Sequence, residues 1–460
     1  MYDIIIIGAG TAGIAAYKQA IKFTQNILII NDGPWDTTCA RVGCMPSKVL
    51  ISTANRMHEI KQAHKVGLTV TAEIDTSQVM SHVRALRDHF TSATLKEIES
   101  WNKEHKISGR ASFTDQQTIQ VNQAYYQAKS FIIAVGSTPT INQNWKNELQ
   151  EKLITSDQIF ELETLPKSLA VIGSGVIAIE LAQAMQRLGV KTTVFARSRK
   201  VGSLTSENLQ KIAQTELSQE LDIKFETIPS HIKRHKNNVS IEFKENGENG
   251  ENKKIEAEYL LSATGRTSLL DTLDLEKINP IYKDLEKIDV DPYTKQLGNY
   301  PIFIIGDAHT TTPIQHEAAH EGRNVIQNCL NYPQTKNIKT LSPISIVFSQ
   351  PEMAIVGQSY KQLMQSNMDI VIGFVSYNNQ GRAKVLGKNR GAIEVYIDKK
   401  THKFLGSELF VESAEHLAHL LNWILNEELT VEAILDKPFY HPTLEEGLRT
   451  AFKHAKRQLS

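Results

Sequence analysis

The stretch Tyr2-Asp-Ile-Ile-Ile-Ile-Gly8-Ala-Gly10-Thr-Ala-Gly13 decides the fold of the beginning of the chain. Its isoleucines form an apolar run without polar alternation, which is typical of a strand buried on both faces of a parallel sheet. Residues 14–23 then have a helical pattern, and a second apolar strand follows at residues 27–30. A strand, a glycine-rich turn, a helix and a strand within about 30 residues predict a βαβ unit that binds a dinucleotide.

The three glycines of this turn meet separate physical needs. Gly8 turns the chain tightly, Gly10 lets the backbone approach a pyrophosphate, and Gly13 lets the helix pack closely on the strand. The N–H groups at the start of the helix then face the phosphates. Without the flanking strand and helix, the same glycine spacing would be a weak signal.

A second copy of the pattern begins at Leu169–Ile172 and continues as Gly173-Ser-Gly175-Val-Ile-Ala178. A helix at residues 180–188 and a strand at residues 191–195 complete it. Two copies so far apart do not fit a short-period repeat protein. The chain is therefore expected to bind two dinucleotides.

Composition and charge narrow the class of protein. The 460 residues are 41% hydrophobic and 22% charged, which suits about two to four packed domains. Lys and Arg total 51, and Asp and Glu also total 51, so no net charge favours nucleic acid or an anionic membrane. The apolar run Ile4–Ile7 is too short for a signal peptide or a membrane span. We therefore expect a cytoplasmic protein without a nucleic-acid or membrane partner.

Two of the three cysteines lie close together in Thr38-Cys39-Ala-Arg-Val-Gly-Cys44-Met-Pro-Ser-Lys48, and the third is Cys329. Three cysteines are too few for a secreted disulfide scaffold of this length. A zinc site would need further Cys or His ligands at set spacing, and none accompanies this pair. The close pair of thiols therefore predicts a redox disulfide, and no metal site is expected.

Together these motifs resemble the flavin-dependent pyridine nucleotide-disulfide oxidoreductases, most closely the dihydrolipoamide dehydrogenases. The resemblance covers nearly the whole chain and includes three later motifs, Ala263-Thr-Gly265, Gly306-Asp307 and His441-Pro-Thr-Leu-Glu-Glu446. It implies an α/β fold with two Rossmann-like dinucleotide-binding domains, one for FAD and one for NAD(P). A C-terminal α+β dimerisation domain would follow them.

The resemblance also implies domain boundaries. The FAD-binding domain would be discontinuous, over residues 1–148 and 266–340, the NAD(P)-binding domain would span 149–265, and the dimerisation domain 341–460. In the last of these, apolar residues recur at helical spacing over 413–426, so one face of that helix is expected in the core or at a subunit interface. The polar tract 244–254 is expected to be a solvated hairpin tip without a function.

The family's catalytic roles pass to the residues that match its motifs. Cys39 would exchange with the substrate disulfide, and Cys44 would lie against the flavin. Exchange needs a thiolate, so a base must take the substrate's proton, and the family assigns this to the residue matching His441, oriented by Glu446. In relatives the histidine and its carboxylate come from the partner subunit.

Further residues match positions around the two cofactors. Lys48 and Glu180 correspond to an ion pair beside the flavin ring, where a cation favours the reduced, anionic flavin. Asp307 corresponds to the residue that holds the ribityl chain. The candidate cofactor-binding residues are Gly8, Gly10, Gly13, Asn31, Gly136, Gly306, Asp307, Gly173, Gly175, Ala178, Arg197, Arg199 and Gly265.

Two departures from the family pattern concern the FAD site. Asn31 stands where the family usually has a glutamate for the adenosine ribose, although its oxygen can still accept a hydroxyl hydrogen bond. Val135, in Ala134-Val-Gly136, replaces the usual threonine and is expected to be tolerated. FAD therefore remains the expected cofactor.

A third departure concerns the choice of nicotinamide. Ala196 replaces the acid expected for NAD, and the basic residues Arg197, Arg199 and Lys200 follow it. An acid would repel a 2′-phosphate, whereas arginines accommodate it. The sequence thus predicts that NADPH is at least tolerated; the alternative is that this basic loop is merely solvated.

The expected activity moves electrons between a small dithiol or disulfide and NAD(P), with dihydrolipoamide favoured by the tail motif and by Gln380-Gly-Arg-Ala383. The basic loop keeps open an NADPH-dependent, glutathione-reductase-like activity. A mercuric reductase is disfavoured because no cysteine pair lies near the C-terminus. A non-catalytic flavoprotein subunit of a dehydrogenase complex is the alternative of another class. Expected partners are a second copy in a homodimer, a lipoyl-bearing substrate and, as a further candidate, a dehydrogenase-complex core.

Overall fold

A computed structural model describes residues 1–245, 250–309 and 313–459 of the chain. The chain divides into two compact units. The first unit comprises Met1–Pro46, Ser81–Thr140 and Gly265–Leu341. The second unit comprises Ser47–Met80, Ile141–Thr264 and Ser342–Ser460.

The described chain contains both helices and strands. The α-helices are Thr11–Ala20, Thr38–Arg41, Cys44–Gln62, Thr76–Glu99, Gln143–Leu149, Val176–Arg187, Glu207–Ser218, Gln315–Asn331, Tyr360–Gln365, Gly381–Val385, Ala414–Asn426, Val431–Leu435 and Glu446–Leu459. The strands are Tyr2–Ile7, Ile27–Asn31, Lys106–Ser108, Ala111–Asp115, Thr118–Val121, Ala124–Ile133, Ser137–Pro139, Leu153–Ile154, Ser168–Ile172, Lys191–Phe195, Asp222–Lys224, His231–His235, Asn238–Lys244, Asn252–Ala257, Tyr259–Ser262, Arg266–Ser268, Ile302–Ile304, Ile344–Val347, Glu352–Gly357, Ile370–Ser376, Ala392–Asp398 and Phe404–Val411.

The first unit is built around a parallel sheet. Its parallel strands lie in the order Lys106–Ser108, Ile27–Asn31, Tyr2–Ile7, Ala124–Ile133 and Ile302–Ile304. The isoleucines of the central strand are buried, because the sheet is covered on both faces. The predicted doubly buried first strand is therefore confirmed.

A helix pair packs on one face of this sheet. Helix Thr11–Ala20 contacts helix Gln315–Asn331 along its length. A side chain at Gly322 would collide with the carbonyl of Ala12, so the two backbones approach closely at a glycine. The first helix begins at Thr11, earlier than the predicted 14–23, because Gly10 is its extended N-cap residue.

The second unit contains a second parallel sheet. Its strands lie in the order Asp222–Lys224, Lys191–Phe195, Ser168–Ile172, Tyr259–Ser262 and Leu153–Ile154. The helix after its central strand runs over Val176–Arg187 rather than 180–188, again because a glycine, Gly175, is the N-cap residue.

A three-stranded antiparallel sheet accompanies the second parallel sheet. It consists of His231–His235, Asn238–Lys244 and Asn252–Ala257. The last two strands pair with each other on either side of the polar tract that was predicted to be a hairpin tip. Residues 246–249 of that tract lie outside the described residues, so the tip itself stays a prediction.

The C-terminal part of the second unit is a five-stranded antiparallel sheet covered by helices. Helix Ala414–Asn426 buries Leu417, Ala418 and Leu421 in the core of this sheet. The apolar face noted in the sequence is therefore a core face, and a part of this helix in a subunit interface stays a prediction. The exposed side of the helix carries Trp423. In the described part of the chain, no helix is both long and apolar enough to cross a membrane.

Candidate redox and nucleotide-binding sites

The first glycine fingerprint lies at the carboxyl end of strand Tyr2–Ile7. Gly8 has a φ of +106°, and a side chain there would collide with the carbonyl of Ala134. A side chain at Gly13 would collide with the carbonyl of Gly8, whereas nothing lies within 4 Å of one at Gly10. Gly8 and Gly13 are thus required by packing, and Gly10 leaves open space before the helix N-terminus. That space suits a pyrophosphate.

Asn31 ends the neighbouring parallel strand. Its Oδ1 accepts a hydrogen bond of 2.9 Å from the backbone N–H of Ala9, and its Nδ2 donates to the carbonyls of Gly33 and Pro34 at 3.1 and 2.9 Å. A carboxylate could not make the two donor contacts. The second lone pair of Oδ1 can still accept a hydroxyl, so the substitution fits an adenosine ribose.

Gly136 and Asp307 come after strands Ala124–Ile133 and Ile302–Ile304, at the same edge of the sheet as Gly8. Gly136 has a φ of +71° and open space where a side chain would be. Gly306 donates its N–H to Glu321 Oε2 at 2.7 Å, which holds the turn that carries Asp307. Burial raises the pKa of Asp307, and Arg266 opposes that effect. These residues lie beside one another at the carboxyl ends of parallel strands, where open α/β sheets bind ligands.

The two cysteines lie on consecutive helical segments. Cys39 is in the short helix Thr38–Arg41, whose N-cap Thr37 accepts a hydrogen bond from the N–H of Ala40 at 3.1 Å. A side chain at Gly43 would lie 3.2 Å from Cys39 Cα, so glycine permits the close turn between the segments. Cys44 is exposed and is the first residue of helix Cys44–Gln62. A helix N-terminus favours the thiolate form of a cysteine.

Lys48 and Glu180 form an ion pair in the second unit. Lys48 Nζ lies 2.9 Å from Glu180 Oε2, and Glu180 is only 4% exposed. The other oxygen, Oε1, accepts a hydrogen bond of 2.8 Å from the backbone N–H of Phe348. The Phe348 ring also lies 4.5 Å from Lys48 Nζ. Phe348 thus positions both members of the pair, and the sequence carried no signal for it because its N–H makes the contact with Glu180.

The second fingerprint repeats the geometry of the first. A side chain at Gly173, with a φ of +120°, would collide with the carbonyl of Ala263, while nothing lies within 4 Å of one at Gly175. Ala178, in the place of the third glycine, is completely buried. The cradle at Gly175 therefore suits a second pyrophosphate. Gly265, with a φ of +120°, begins the last segment of the first unit.

The basic loop follows the strand next to this fingerprint. Ala196 is 0% exposed, and its backbone bonds with Lys224 and Thr227. Arg197 is exposed. Arg199 lies 3.4 Å from Glu226, so one cation of the loop already has an acidic partner. Glu226 carries no signal in the sequence, because it reaches the loop only through the folding of the sheet.

His441 and Glu446 meet at the start of the last helix. The His441 side chain is 80% exposed, and its Nδ1 lies 3.0 Å from Glu446 Oε1. The hydrogen bond from His441, together with one from the N–H of Thr443, lowers the pKa of Glu446. With Nδ1 directed at the carboxylate, Nε2 is the ring atom that can accept a proton.

Two residues hold the loop that carries His441. Tyr377 is completely buried and donates its hydroxyl to the carbonyl of Leu444 at 2.8 Å. Gln380 donates its amide to the carbonyl of Thr443 at 2.6 Å, while its oxygen caps helix Gly381–Val385. The Gln-Gly-Arg-Ala motif thus has a structural role next to the loop.

Within the described residues, no group of three or more His, Cys, Asp or Glu side chains could hold a metal ion.

Comparison with protein families assigns the chain to a class. Residues 2–322 match the pyridine nucleotide-disulphide oxidoreductase family, and residues 344–452 match the dimerisation domain of the same family. The chain belongs to the pyridine nucleotide-disulphide oxidoreductases, whose members use FAD and NAD(P). The predicted fold class, family and cofactors are thereby confirmed, and the dimerisation domain supports a homodimer.

Individual relatives share the architecture but differ in substrate. Dihydrolipoyl dehydrogenase of Geobacillus stearothermophilus is 27% identical over 96% of this chain and 94% of its own length. Mercuric reductase of Lysinibacillus sphaericus is 28% identical over 98% of this chain and 82% of its own length. The solved structure of LpdA from Mycobacterium tuberculosis covers 100% of both chains with a TM-score of 0.81 at 20% identity, which shows the fold alone.

Proposed function

We propose that the chain is a disulfide oxidoreductase that transfers electrons between dihydrolipoamide or a similar small dithiol and NAD(P), through Cys39 and Cys44. The observation that carries the proposal is the His441–Glu446 pair. Its geometry leaves an exposed imidazole nitrogen that can take a proton from a thiol. Bound FAD would accept the electron pair from the cysteines and pass it to the nicotinamide.

Each residue has a separate role in this proposal. His441 removes the proton of the substrate thiol, because the thiolate is the species that exchanges with a disulfide. Glu446 orients the imidazole and stabilises its protonated form. Lys48, held by Glu180 and Phe348, would supply a positive charge that favours the reduced form of bound flavin. The cradles at Gly10 and Gly175 would hold the pyrophosphates of FAD and of NAD(P).

The cysteine content favours lipoamide over mercury as the substrate. The relatives do not separate the two, because dihydrolipoyl dehydrogenase and mercuric reductase are 27% and 28% identical to this chain. This chain has one cysteine, Cys329, beyond the proposed redox pair, and it is buried. A soft metal ion would need additional accessible thiols to be passed to the flavin.

An NADPH-dependent, glutathione-reductase-like activity is the second candidate. The exposed Arg197 favours it, because an arginine at this strand end can bind a 2′-phosphate in a bidentate manner. A non-catalytic subunit is disfavoured by the presence of both cysteines and of the His441–Glu446 pair.

One set of assays tests these alternatives. The purified protein is given lipoamide, glutathione disulfide or Hg(II), each with NADH and with NADPH. The proposal expects the highest kcat/KM with lipoamide; a higher value with glutathione disulfide supports the second candidate. Absence of turnover with every pair would refute an oxidoreductase role. Binding to an immobilised lipoyl-bearing protein then tests a dehydrogenase-complex partner.

A further inference from the structure

A buried arginine lies at the end of the helix that carries Glu180. Arg187 is the last residue of helix Val176–Arg187 and is 2% exposed. It follows Glu180 by two helical turns, so both side chains lie on one face of the helix. A guanidinium in such a place needs partners for all its donors.

The partners of Arg187 come from three different segments of the second unit. Its Nε and Nη2 donate to the two carboxylate oxygens of Glu220 at 2.6 and 3.0 Å. Its Nη1 donates to Asn55 Oδ1 and to Gln350 Oε1, both at 2.6 Å. Asn55 lies on helix Cys44–Gln62. The guanidinium therefore joins the helix of the second fingerprint to the helix that begins at Cys44.

Gln183 continues this face between Glu180 and Arg187. Its Oε1 accepts the N–H of Gln350 at 2.8 Å, and its Nε2 donates to the carbonyl of the same residue at 2.9 Å. Gln350 is two residues from Phe348, whose N–H holds Glu180. Glu180, Gln183 and Arg187 thus all form hydrogen bonds with the short segment 348–350.

Helices Cys44–Gln62 and Val176–Arg187 contact each other at two positions along their length. Lys48 contacts Glu180 and Asn55 contacts Arg187, and each pair of residues is seven positions apart on its own helix. A third bond runs from Lys61 Nζ to the carbonyl of Arg187 at 2.9 Å. Although burial raises the pKa of Glu220, hydrogen bonds from His58 and Arg187 lower it to about 2. Glu220 therefore remains an anion that anchors the guanidinium.

We propose that Arg187 is a positioning residue that sets the Lys48–Glu180 pair by fixing the register of the two helices. This inference rests on the proposed function, in which that pair acts on the flavin. Lys48 is 32% exposed at its side chain, so the ion pair alone does not fix the ammonium. The contacts of Arg187, two helical turns after Glu180, and the bond from Phe348 to Glu180 supply that constraint.

The test compares variants of the FAD-loaded protein by flavin midpoint potential and by steady-state kinetics. Lys48→Gln should lower the potential, because the cation that favours reduced flavin is lost. Arg187→Gln should lower it in the same direction and reduce kcat roughly 10- to 100-fold with little change in KM, as a misplaced group does. Arg187→Lys should give a smaller shift in the same direction, because lysine keeps the positive charge opposite Glu220 but cannot bond to all three partners.

Two further variants keep the test decisive if Arg187→Gln does not fold. Asn55→Ala removes only the contact between the helices and should shift the potential in the same direction. Glu408→Gln is the matched control, since Glu408 is 0% exposed in the same unit and bonds to Thr205, Ser206 and Tyr360 instead. It should leave the potential unchanged.

The outcomes separate the two proposals. If Lys48→Gln shifts the potential while Arg187→Lys and Asn55→Ala do not, the positioning role is refuted and the proposed function stands. If Lys48→Gln leaves the potential unchanged, both the role of the ion pair and the role of Arg187 are refuted. An equal shift in the Glu408→Gln control would show a general loss of packing and would also refute the positioning role.

Discussion

His441 is the single residue on which the proposed proton transfer depends. Replacing it by glutamine removes the base, so His441→Gln should lower turnover by roughly two to four powers of ten. Glu446→Ala should have a milder effect, because the carboxylate orients the ring and does not itself take the proton. Both are measured as kcat with dihydrolipoamide.

Tyr125→Phe is a suitable control, since Tyr125 is an exposed aromatic residue of the first unit. Turnover of His441→Gln equal to that of the unmodified protein would remove His441 from the mechanism.

Arg197 is the residue that we expect to decide the choice between NADH and NADPH. We expect NADPH to be used at least as well as NADH, and Arg197→Glu to shift the ratio of kcat/KM values toward NADH by about tenfold or more. Glu226→Gln should have the opposite effect, because it frees Arg199 from its acidic partner.

The structure makes Ala196→Glu a less direct test than Arg197→Glu. Ala196 is buried, so a glutamate there would carry a desolvation penalty as well as a new charge. Arg234→Glu, on the antiparallel sheet, serves as a charge-matched control. A strict NADH preference that no variant of the loop alters would show that these cations are merely solvated.

Among the structural elements, the first glycine fingerprint contains one glycine that serves FAD binding, Gly10, and one that serves packing, Gly13. Gly10→Ala fills open space and should weaken FAD binding roughly tenfold, about 1.4 kcal/mol, with little loss of stability. Gly13→Ala meets the carbonyl of Gly8 and should instead lower the thermal midpoint or prevent folding. The measurements are bound FAD per chain and the melting temperature. Equal behaviour of the two variants would contradict this division.

A second element, helix Ala414–Asn426, has at its start a half-buried acid, Glu352, that belongs to strand Glu352–Gly357. Glu352 Oε2 accepts the N–H of Glu415 at 2.8 Å. Burial raises the pKa of Glu352 from 4.5 to about 7; the hydrogen bond from the N–H of Glu415 opposes the rise, the charges of Glu415 and Glu412 add to it, and Lys388 opposes it. A raised folded-state pKa means that stability is lost as the pH rises from about 4.5 to about 7.

Glu352→Gln should therefore match the unmodified protein at low pH and exceed it in stability above pH 7, by at most about 3 kcal/mol. Thermal midpoints measured between about pH 5 and pH 8 test this. Glu427→Gln, an exposed acid at the end of the same helix, should leave the pH dependence unchanged. A constant difference between Glu352→Gln and the unmodified protein at every pH would contradict the assigned cause.

At the scale of the whole molecule, the family's dimerisation domain supports a homodimer, and we propose that each site takes its cysteines and its histidine from different chains. Mixing inactive Cys44→Ser and His441→Gln chains after dissociation should then restore activity. Random pairing gives one intact site in each mixed dimer, or about a quarter of the unmodified activity. Recovery absent in dimers shown to be mixed would place both groups on one chain.

Features that depend on neighbouring residues could be predicted from the sequence alone. The two glycine fingerprints, the cysteine pair and the His441–Glu446 spacing are local patterns. A tight turn, a helix start or a contact five positions apart needs little beyond its own segment. Composition and these motifs were sufficient for the fold class and the family.

The tertiary structure was needed to show which further distant segments meet. The resemblance to the family pairs Lys48 with Glu180, which are 132 positions apart, whereas nothing in the sequence pairs Arg187 with Gln350, which are 163 apart. The same packing places the apolar face of helix Ala414–Asn426 in the core and brings Glu226 to Arg199. Such contacts depend on how sheets and helices pack around a shared core, and many different sequences satisfy that packing. For this reason the glycine fingerprints could be predicted from the sequence, whereas the contacts of Arg187 with Glu220, Asn55 and Gln350 could not.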